Sequence, residues 1–245
     1  RRLSSAASDV YKRQGHDFRP DYRMLRSMLD AFPQVPRLAL TATADKQTRS
    51  DVMTQLGIPD DGLVLAGFDR PNIRYAIRHR DNPVRQLTDL VAAAPGPGIV
   101  YAPTRRKVED LADKLAAATG RAVLPYHAGL DAGTRAANQA AFVTSEDMVI
   151  VATVAFGMGI DKPDVRFVAH VGVPKSIEGY YQETGRAGRD GDPAQAVMFW
   201  GAGDFATARQ RLAEIDEGRR GAERARLDAL SLIHISSPRD KSSSR

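Results

Sequence analysis

The chain of 245 residues contains no cysteine. Disulfide bridges and thiolate metal sites are therefore excluded, and a reducing, cytoplasmic compartment is the natural expectation. No run of apolar residues approaches the roughly 18 to 20 that a membrane-spanning helix needs. The first residues also lack the apolar stretch of a secretory signal. We therefore expect a protein that does not associate with a membrane.

Excess positive charge is missing from the body of the sequence. The formal net charge is +5, of which residues 1–14 carry +3 and residues 231–245 carry +2. A surface that binds nucleic acid would therefore have to be a local patch within the body. Both end segments are rich in serine and lack sustained periodicity. We expect each to be disordered, or to be a non-native scar of cloning, assembly or read-through.

Two signatures of a complete ATP-hydrolysing motor are also absent. No Gly-Lys dipeptide occurs, so the phosphate-binding loop Gly-x-x-x-x-Gly-Lys-Ser/Thr (Walker A) is missing. The acidic pair at a strand end that would hold Mg²⁺ and activate water (Walker B) is missing as well. We therefore expect that the chain alone does not hydrolyse ATP.

Strands and helices alternate along most of the chain, which predicts an α/β fold with helices on both faces of a parallel sheet. Ligands of such folds gather at the carboxyl ends of the strands, where we expect the candidate site residues to lie. The predicted strands are 37–42, 98–102, 122–126, 148–153, 165–171 and 194–200. The predicted helices are 21–32, 45–56, 104–120, 134–142, a short one opened by Ser176, and 204–229.

Two segments in the second half carry most of the chemical information. Residues 151–163 read VATVAFGMGIDKP, and residues 182–191 read QETGRAGRDG. The second segment places two arginines three residues apart between glycines, which suits guanidinium groups that contact phosphate oxygens with little bulk around them. A solvated Arg/Gly-rich loop is the simpler alternative for this segment taken alone.

Together these segments resemble the fifth and sixth motifs of superfamily-two helicases, in the wording of the RecQ family of DNA helicases. Four further stretches agree and occur in the family's order, which makes the resemblance specific over roughly residues 15–230. They are the aromatic-rich loop at 15–22, the third motif at 38–44, the fourth motif at 99–105, and the element that follows it at 126–130.

The resemblance implies an interior fragment of a motor with two RecA-like lobes. It implies a remnant of the first lobe, a linker, a complete second lobe, and a helix that leads to a further domain. The expected ranges are 15–67 for the remnant, 68–82 for the linker, 83–203 for the second lobe and 204–230 for the helix. Residues 1–14 and 231–245 are the two expected non-native or disordered ends.

The resemblance also implies how nucleotide is bound. Arg189 and Arg186 are the expected catalytic groups, with Arg189 as the arginine finger. Gln182, Asp161, Gly157 and Gly159 are the expected ATP-binding residues, although Gln182 could be a surface glutamine and Asp161 could simply support a turn. ATP and Mg²⁺ would be held mainly by the missing first lobe. No metal site, and in particular no zinc site, is expected in this chain.

The expected DNA contacts follow from the same resemblance. Hydroxyls, amides and a few cations bind a strand without reading its bases. Four of these residues have simpler explanations. Phe18 could be a core residue and His127 a hydrogen-bonded structural histidine. Thr41 and Thr43 could be β-branched residues at the end of a strand. The expected DNA-binding and coupling residues are His16, Phe18, Arg19, Thr41, Thr43, Thr104, Arg105, His127, Gly129 and Thr153.

The implied function is that of an ATP-dependent DNA helicase that moves 3′ to 5′ on single-stranded and duplex DNA in recombination and repair. In a bacterium it would act at the nucleoid. Two alternatives remain open at this point. The chain could be a nucleic-acid-binding module without catalysis, or it could come from an RNA helicase of the same superfamily.

Overall fold

A sheet of six parallel strands is the framework of the larger part of the molecule, in the order β1-β6-β5-β2-β4-β3. The computed structural model describes residues 28–41, 46–65, 70–157 and 160–213. The strands are β1 Ile73–His79, β2 Gly98–Tyr101, β3 Val123–Tyr126, β4 Val149–Ala152, β5 Phe167–Val171 and β6 Ala194–Trp200. The predicted parallel α/β architecture is confirmed.

Four of the described helices begin where the sequence supplies a capping side chain. Asn82, Thr104, Asp131 and Ser176 each accept a hydrogen bond from the backbone N–H three residues later. The described helices are α1 Lys46–Leu56, α2 Pro83–Ala93, α3 Arg105–Thr119, α4 Ala132–Thr144, α5 Ile177–Thr184 and α6 Ala202–Ala213, with a short 3-10 turn at Asp60–Gly62.

The sheet is covered on both faces, as its continuous apolar strands require. On one face α2 and α3 contribute residues such as Leu87 and Leu115 to a core that includes Val100 and Phe199. On the other face Phe142 of α4, together with Phe156 and Ala187, packs against the opposite side of the same strands. Alternate strand residues therefore belong to two separate cores.

One close approach fixes the register of two central strands. Gly98 of β2 is paired with Phe167 of β5. The Phe167 ring occupies the space that a Cβ atom at position 98 would need. Any larger residue at position 98 would therefore displace a fully buried aromatic side chain.

The chain divides into two units, Arg1–Phe68 and Asp69–Arg245. In the first unit, α1 matches the predicted helix and ends at Gly57, which has a positive φ of 63°. The strand predicted over 37–42 does not form in its described residues. Leu38 and Leu40 are 81% and 85% exposed. No strand is described in this unit, so the described residues offer this segment no neighbour with which to pair.

The predicted connection over 68–82 contains an element of structure. Ile73–His79 pairs along its whole length with Ala194–Trp200, so β1 belongs to the sheet of the second unit. It lies at the edge of the sheet with β6 as its neighbour, and its residues after Ile73 are exposed or half-buried. At the other end, α6 is described to Ala213, and the rest of the predicted 204–230 helix lies outside the described residues. No described helix is long and apolar enough to cross a membrane.

Candidate nucleotide and nucleic-acid site

The predicted site residues lie at both ends of the strands. The segment Gly185–Gly191, called the arginine loop below, was expected at the carboxyl ends. The structure places it at the amino ends, because α5 runs back along the sheet after β5. The loop donates backbone hydrogen bonds from Gly188 and Asp190 to the carbonyls of Val165 and Pro163, which precede β5. The single predicted site is therefore two clusters.

Arg189 reaches back to the segment that follows β4. Its Nη1 donates to Asp161 Oδ1 at 3.0 Å and to the carbonyl oxygen of Ile160 at 3.3 Å. The two side chains are 37% and 90% exposed, so water screens this ion pair and little free energy is needed to separate it. The guanidinium of Arg189 is thus oriented yet accessible to an anion from outside.

Arg186 is held more tightly. Its Nη1 donates to the carbonyl oxygen of Gly157, and its Nε is buried without a hydrogen-bond partner among the described groups. Gly157 has a φ of 141°, and a Cβ atom there would overlap the guanidinium of Arg186. Glycine is therefore required at position 157 both for the backbone conformation and for the space that Arg186 fills.

A buried polar cluster anchors α5, which leads into the arginine loop. His170 Nε2 lies 2.6 Å from Glu183 Oε2, and both side chains are buried. Tyr101 stacks on the His170 ring, with centroids 5.1 Å apart. Tyr180 packs on the same ring, and burial raises the pKa of its hydroxyl above the ordinary value, so it stays neutral. Gln182 lies on the exposed side of this helix.

The second cluster gathers at the carboxyl ends of β2 and β3. Thr104 caps α3 by accepting from the backbone N–H of Lys107 at 3.3 Å. The Arg105 side chain lies over Gly129, since a Cβ atom at that glycine would be 3.0 Å from Arg105 Cδ. Arg105, Thr104 and Gly129 are all exposed, so a cation, a hydroxyl and an open backbone lie side by side.

His127 holds this second cluster together. Its Nδ1 accepts a hydrogen bond of 3.1 Å from the Gly129 N–H, so Nε2 carries the hydrogen and donates to Glu109 Oε1 at 3.0 Å. The side chain is buried. Because both ring nitrogens are satisfied within the protein, the geometry gives His127 a structural role in fixing the Gly129 loop.

We expect His127→Ala to lower the free energy of unfolding by about 2 kcal/mol, because it leaves the Gly129 N–H without its partner and opens a cavity. Urea denaturation of the chain measures this loss. Glu109→Ala is the matched control. Glu109 is the exposed partner of the same pair, so its removal should cost less than about 1 kcal/mol. Equal losses in both variants would contradict the structural role.

Thr153 to Asp161 links the two clusters. Thr153 follows β4, donates its backbone N–H to Tyr126 at 3.1 Å and is half-buried at the carboxyl ends. Phe156 anchors the middle of the segment in the core, and Asp161 meets Arg189 at the amino ends. The segment therefore runs from one predicted binding cluster to the other.

Several predicted site residues lie outside the described residues. They are His16, Phe18, Arg19, Thr43 and Gly159. Thr41 is exposed at the end of the described segment 28–41. Within the described ranges, no group of three or more His, Cys, Asp or Glu side chains could hold a metal ion.

Comparison with known proteins identifies relatives of this chain. The family model described as "Helicase conserved C-terminal domain" matches residues 82–191. The ATP-dependent DNA helicase RecQ of Haemophilus influenzae is 45% identical over 218 residues, which cover 88% of this chain and 35% of that protein. The probable ATP-dependent DNA helicase RecS of Bacillus subtilis is 41% identical over 78% of this chain and 39% of that protein.

The chain belongs to the RecQ family of helicases. It spans only about a third of the length of the Haemophilus relative. Among solved structures, S. cerevisiae Dbp5 bound to Gle1 matches with a TM-score of 0.61 at 20% identity, over 88% of this chain and 59% of that one. That likeness shows the fold, a RecA-like helicase lobe.

The structure of this RecQ-family chain reveals functional candidates that the sequence patterns did not. Arg70 and Asn72 donate hydrogen bonds to the backbone of the arginine loop, although the sequence predicted only a linker there. His170 and Glu183 form the buried pair beneath α5. A histidine inside an apolar strand and a glutamate on a short helix are the signals that could have suggested this pair.

Proposed function

We propose that this chain is the second motor lobe, with part of the first, of an ATP-dependent DNA helicase that unwinds DNA in recombination and repair. The observation that carries the proposal is the arginine loop. It presents one accessible guanidinium, Arg189, beside a second that is fixed in place, Arg186. The 3′-to-5′ direction follows from the family resemblance alone.

The arrangement around Arg189 fits a triphosphate. A phosphate that entered from outside would replace the screened carboxylate of Asp161 as the partner of the guanidinium. ATP and Mg²⁺, when bound, would supply the phosphoryl group and neutralise part of its charge. An arginine finger stabilises the charge that develops on that group and can contribute roughly 10³ to 10⁵ in rate.

Residues around the loop would keep the guanidinium group of Arg189 in position. Asp161 would orient Arg189 until nucleotide arrives and then be free to accept a hydrogen bond from the ribose. Gln182, one helical turn before Arg186, would contact the nucleotide. Gly157 and its carbonyl oxygen keep Arg186 in line with the loop. Gly159 would belong to the same ATP-binding segment.

The cluster at the carboxyl ends would contact the phosphates of the tracking strand. Arg105 supplies the cation, Thr104 a hydroxyl, and Gly129 an open backbone. Such contacts carry no sequence information, which suits an enzyme that travels over any sequence. Thr153 adjoins this cluster, so the segment to Asp161 would transmit the nucleotide state to the DNA contacts.

The remaining predicted residues would act from the first lobe. His16, Phe18 and Arg19 would sense single-stranded DNA by stacking and charge. Thr41 and Thr43 would couple the nucleotide state to closure of the lobes. The substrate places the protein in the compartment that holds the DNA, which is the cytoplasm at the nucleoid if the source is bacterial.

Strand displacement by the full-length gene product tests the proposal. We expect ATP-dependent unwinding of a DNA duplex that carries a 3′ single-stranded tail, and at least tenfold slower unwinding of the matching RNA duplex. A duplex with only a 5′ tail serves as the polarity control. Equal or faster unwinding of RNA would show an RNA helicase. Binding without any ATP turnover would show a non-catalytic module.

A further inference from the structure

The backbone of the arginine loop is held by two side chains from the segment that enters the second unit. Arg70 Nη2 donates to the carbonyl oxygen of Gly188 at 2.7 Å and to that of Ala187 at 3.3 Å. Asn72 Nδ2 donates to the carbonyl oxygens of Gly188 at 2.8 Å and Asp192 at 2.9 Å. The carbonyl oxygen of Gly188, which lies between the two arginines in the sequence, therefore accepts a hydrogen bond from each of the two side chains.

The loop is shaped to receive these donors. Gly188 has a φ of 53°, which turns its backbone toward Asn72. A Cβ atom at position 188 would lie 2.5 Å from Asn72 Nδ2, so the absence of a side chain makes the contact possible. The Gly188 N–H donates in turn to the carbonyl of Val165 at 2.8 Å. Both peptide groups that flank the Gly188 Cα are thus held by hydrogen bonds.

The segment that carries the donors is itself fixed to the sheet. The N–H of Ile73 donates to the carbonyl of Arg70, and the N–H of Ala194 donates to the carbonyl of Asn72, each at 2.9 Å. Arg70 is the second residue of the second unit, so the chain arrives from the first unit immediately before this contact. A shift of the entering segment would move these donors and, with them, the loop.

We propose that Arg70 and Asn72 are positioning residues that fix Arg186 and Arg189 and tie the arginine loop to the entering segment. The effect on catalysis rests on the proposed function. The hydrogen bonds that Arg70 and Asn72 make to the loop do not depend on that function. Removing the donors takes away the side-chain hydrogen bonds to the Gly188 carbonyl, which keeps its bond of 3.0 Å from the Gly191 N–H, and it touches neither arginine. Misplacement of a catalytic group by about 1 Å can cost roughly 10² in rate.

We expect Asn72→Asp in the full-length protein to lower kcat for DNA-stimulated ATP hydrolysis by roughly 10² while KM for ATP changes less than threefold. A carboxylate of the same size cannot donate to the two carbonyls. Asn138→Asp is the matched control, because Asn138 Nδ2 makes a similar bond, to the Pro125 carbonyl at 2.8 Å, away from the loop. It should leave kcat within twofold.

Arg70 provides a second and independent variant. Arg70→Ala should lower kcat as Asn72→Asp does, and Arg70→Lys should recover at least a third of the wild-type rate, because an ammonium can still donate to Gly188. A role limited to folding would lower the thermal midpoint and the amount of active enzyme without this pattern of rescue. Equal loss in Arg70→Ala and Arg70→Lys would count against positioning.

Amide hydrogen exchange separates this inference from the proposed function. In the 245-residue chain without nucleotide, Asn72→Asp should speed exchange at Gly188, Asp190 and Gly191 at least tenfold, with Asn138→Asp unchanged. Wild-type protection in Asn72→Asp would overturn the inference, whatever the helicase does. Faster exchange with unchanged kcat, while Arg189→Ala is inactive, would overturn the catalytic consequence alone. An active Arg189→Ala enzyme would overturn the proposed function instead.

Discussion

Arg189→Ala is expected to lower DNA-stimulated ATP turnover of the full-length protein by roughly 10³, the lower end of the contribution of an arginine finger. The side chain is accessible, and its carboxylate partner Asp161 is almost fully exposed, so little of the loss should come from unfolding. The loss should fall on kcat, because the charge that the guanidinium stabilises develops only in the transition state. Steady-state ATPase assays at saturating DNA measure it.

Two further variants serve as controls. One removes an exposed arginine elsewhere in the chain, and the other keeps the positive charge at position 189. Arg85→Ala removes an exposed arginine of α2 and should leave turnover within twofold. Arg189→Lys keeps the positive charge but loses the planar fork, so we expect it to remain at least tenfold below wild type. If Arg189→Ala stays within about threefold of wild type, Arg189 is not the finger.

Gly157→Ala should lower kcat by roughly 10² without removing any functional side chain. The new methyl group would occupy the position of the Arg186 guanidinium, and a φ of 141° is strained for alanine. Arg186 would have to leave its place beside the Gly157 carbonyl. Thermal unfolding measured beside the ATPase assay separates the strain from the rate effect, since backbone strain of this kind costs about 1 to 3 kcal/mol.

Gly203→Ala is the matched substitution for Gly157→Ala. Gly203 lies in α6, and nothing stands within 4 Å of a Cβ atom placed there. Alanine favours the helix, so this variant should be as active as wild type and at least as stable. Equal kcat losses in the two variants would show that the effect at position 157 does not come from Arg186.

The βα alternation of the second unit could be predicted because each element carries its own signal. Thr104 and Gly120 mark the ends of α3, and the apolar face between them is the face that the structure buries. The same local signals gave a wrong prediction for residues 37–41, where a strand was expected over 37–42 and none is described. An apolar run predicts a strand only where a neighbouring strand is present, and none is described in the first unit.

The position of the candidate site residues in the fold could not be predicted from the sequence. Motif wording identified Arg186, Arg189 and Asp161, and the structure does bring Arg189 to Asp161. Their position at the amino ends of the strands depends on the length and direction of α5, which no local pattern reports. The contacts of Arg70 join residues 117 and 118 positions apart, so sequence spacing could not reveal them.

The most direct test of the central claim is the affinity of full-length Arg189→Ala for ADP with aluminium fluoride, compared with its affinity for ADP alone. The complex mimics the transferred phosphoryl group, so wild type should bind it far more tightly than ADP. Arg189→Ala should lose at least a hundredfold of this preference and keep its affinity for ADP within threefold. An unchanged preference would contradict the claim that Arg189 reaches the phosphoryl group.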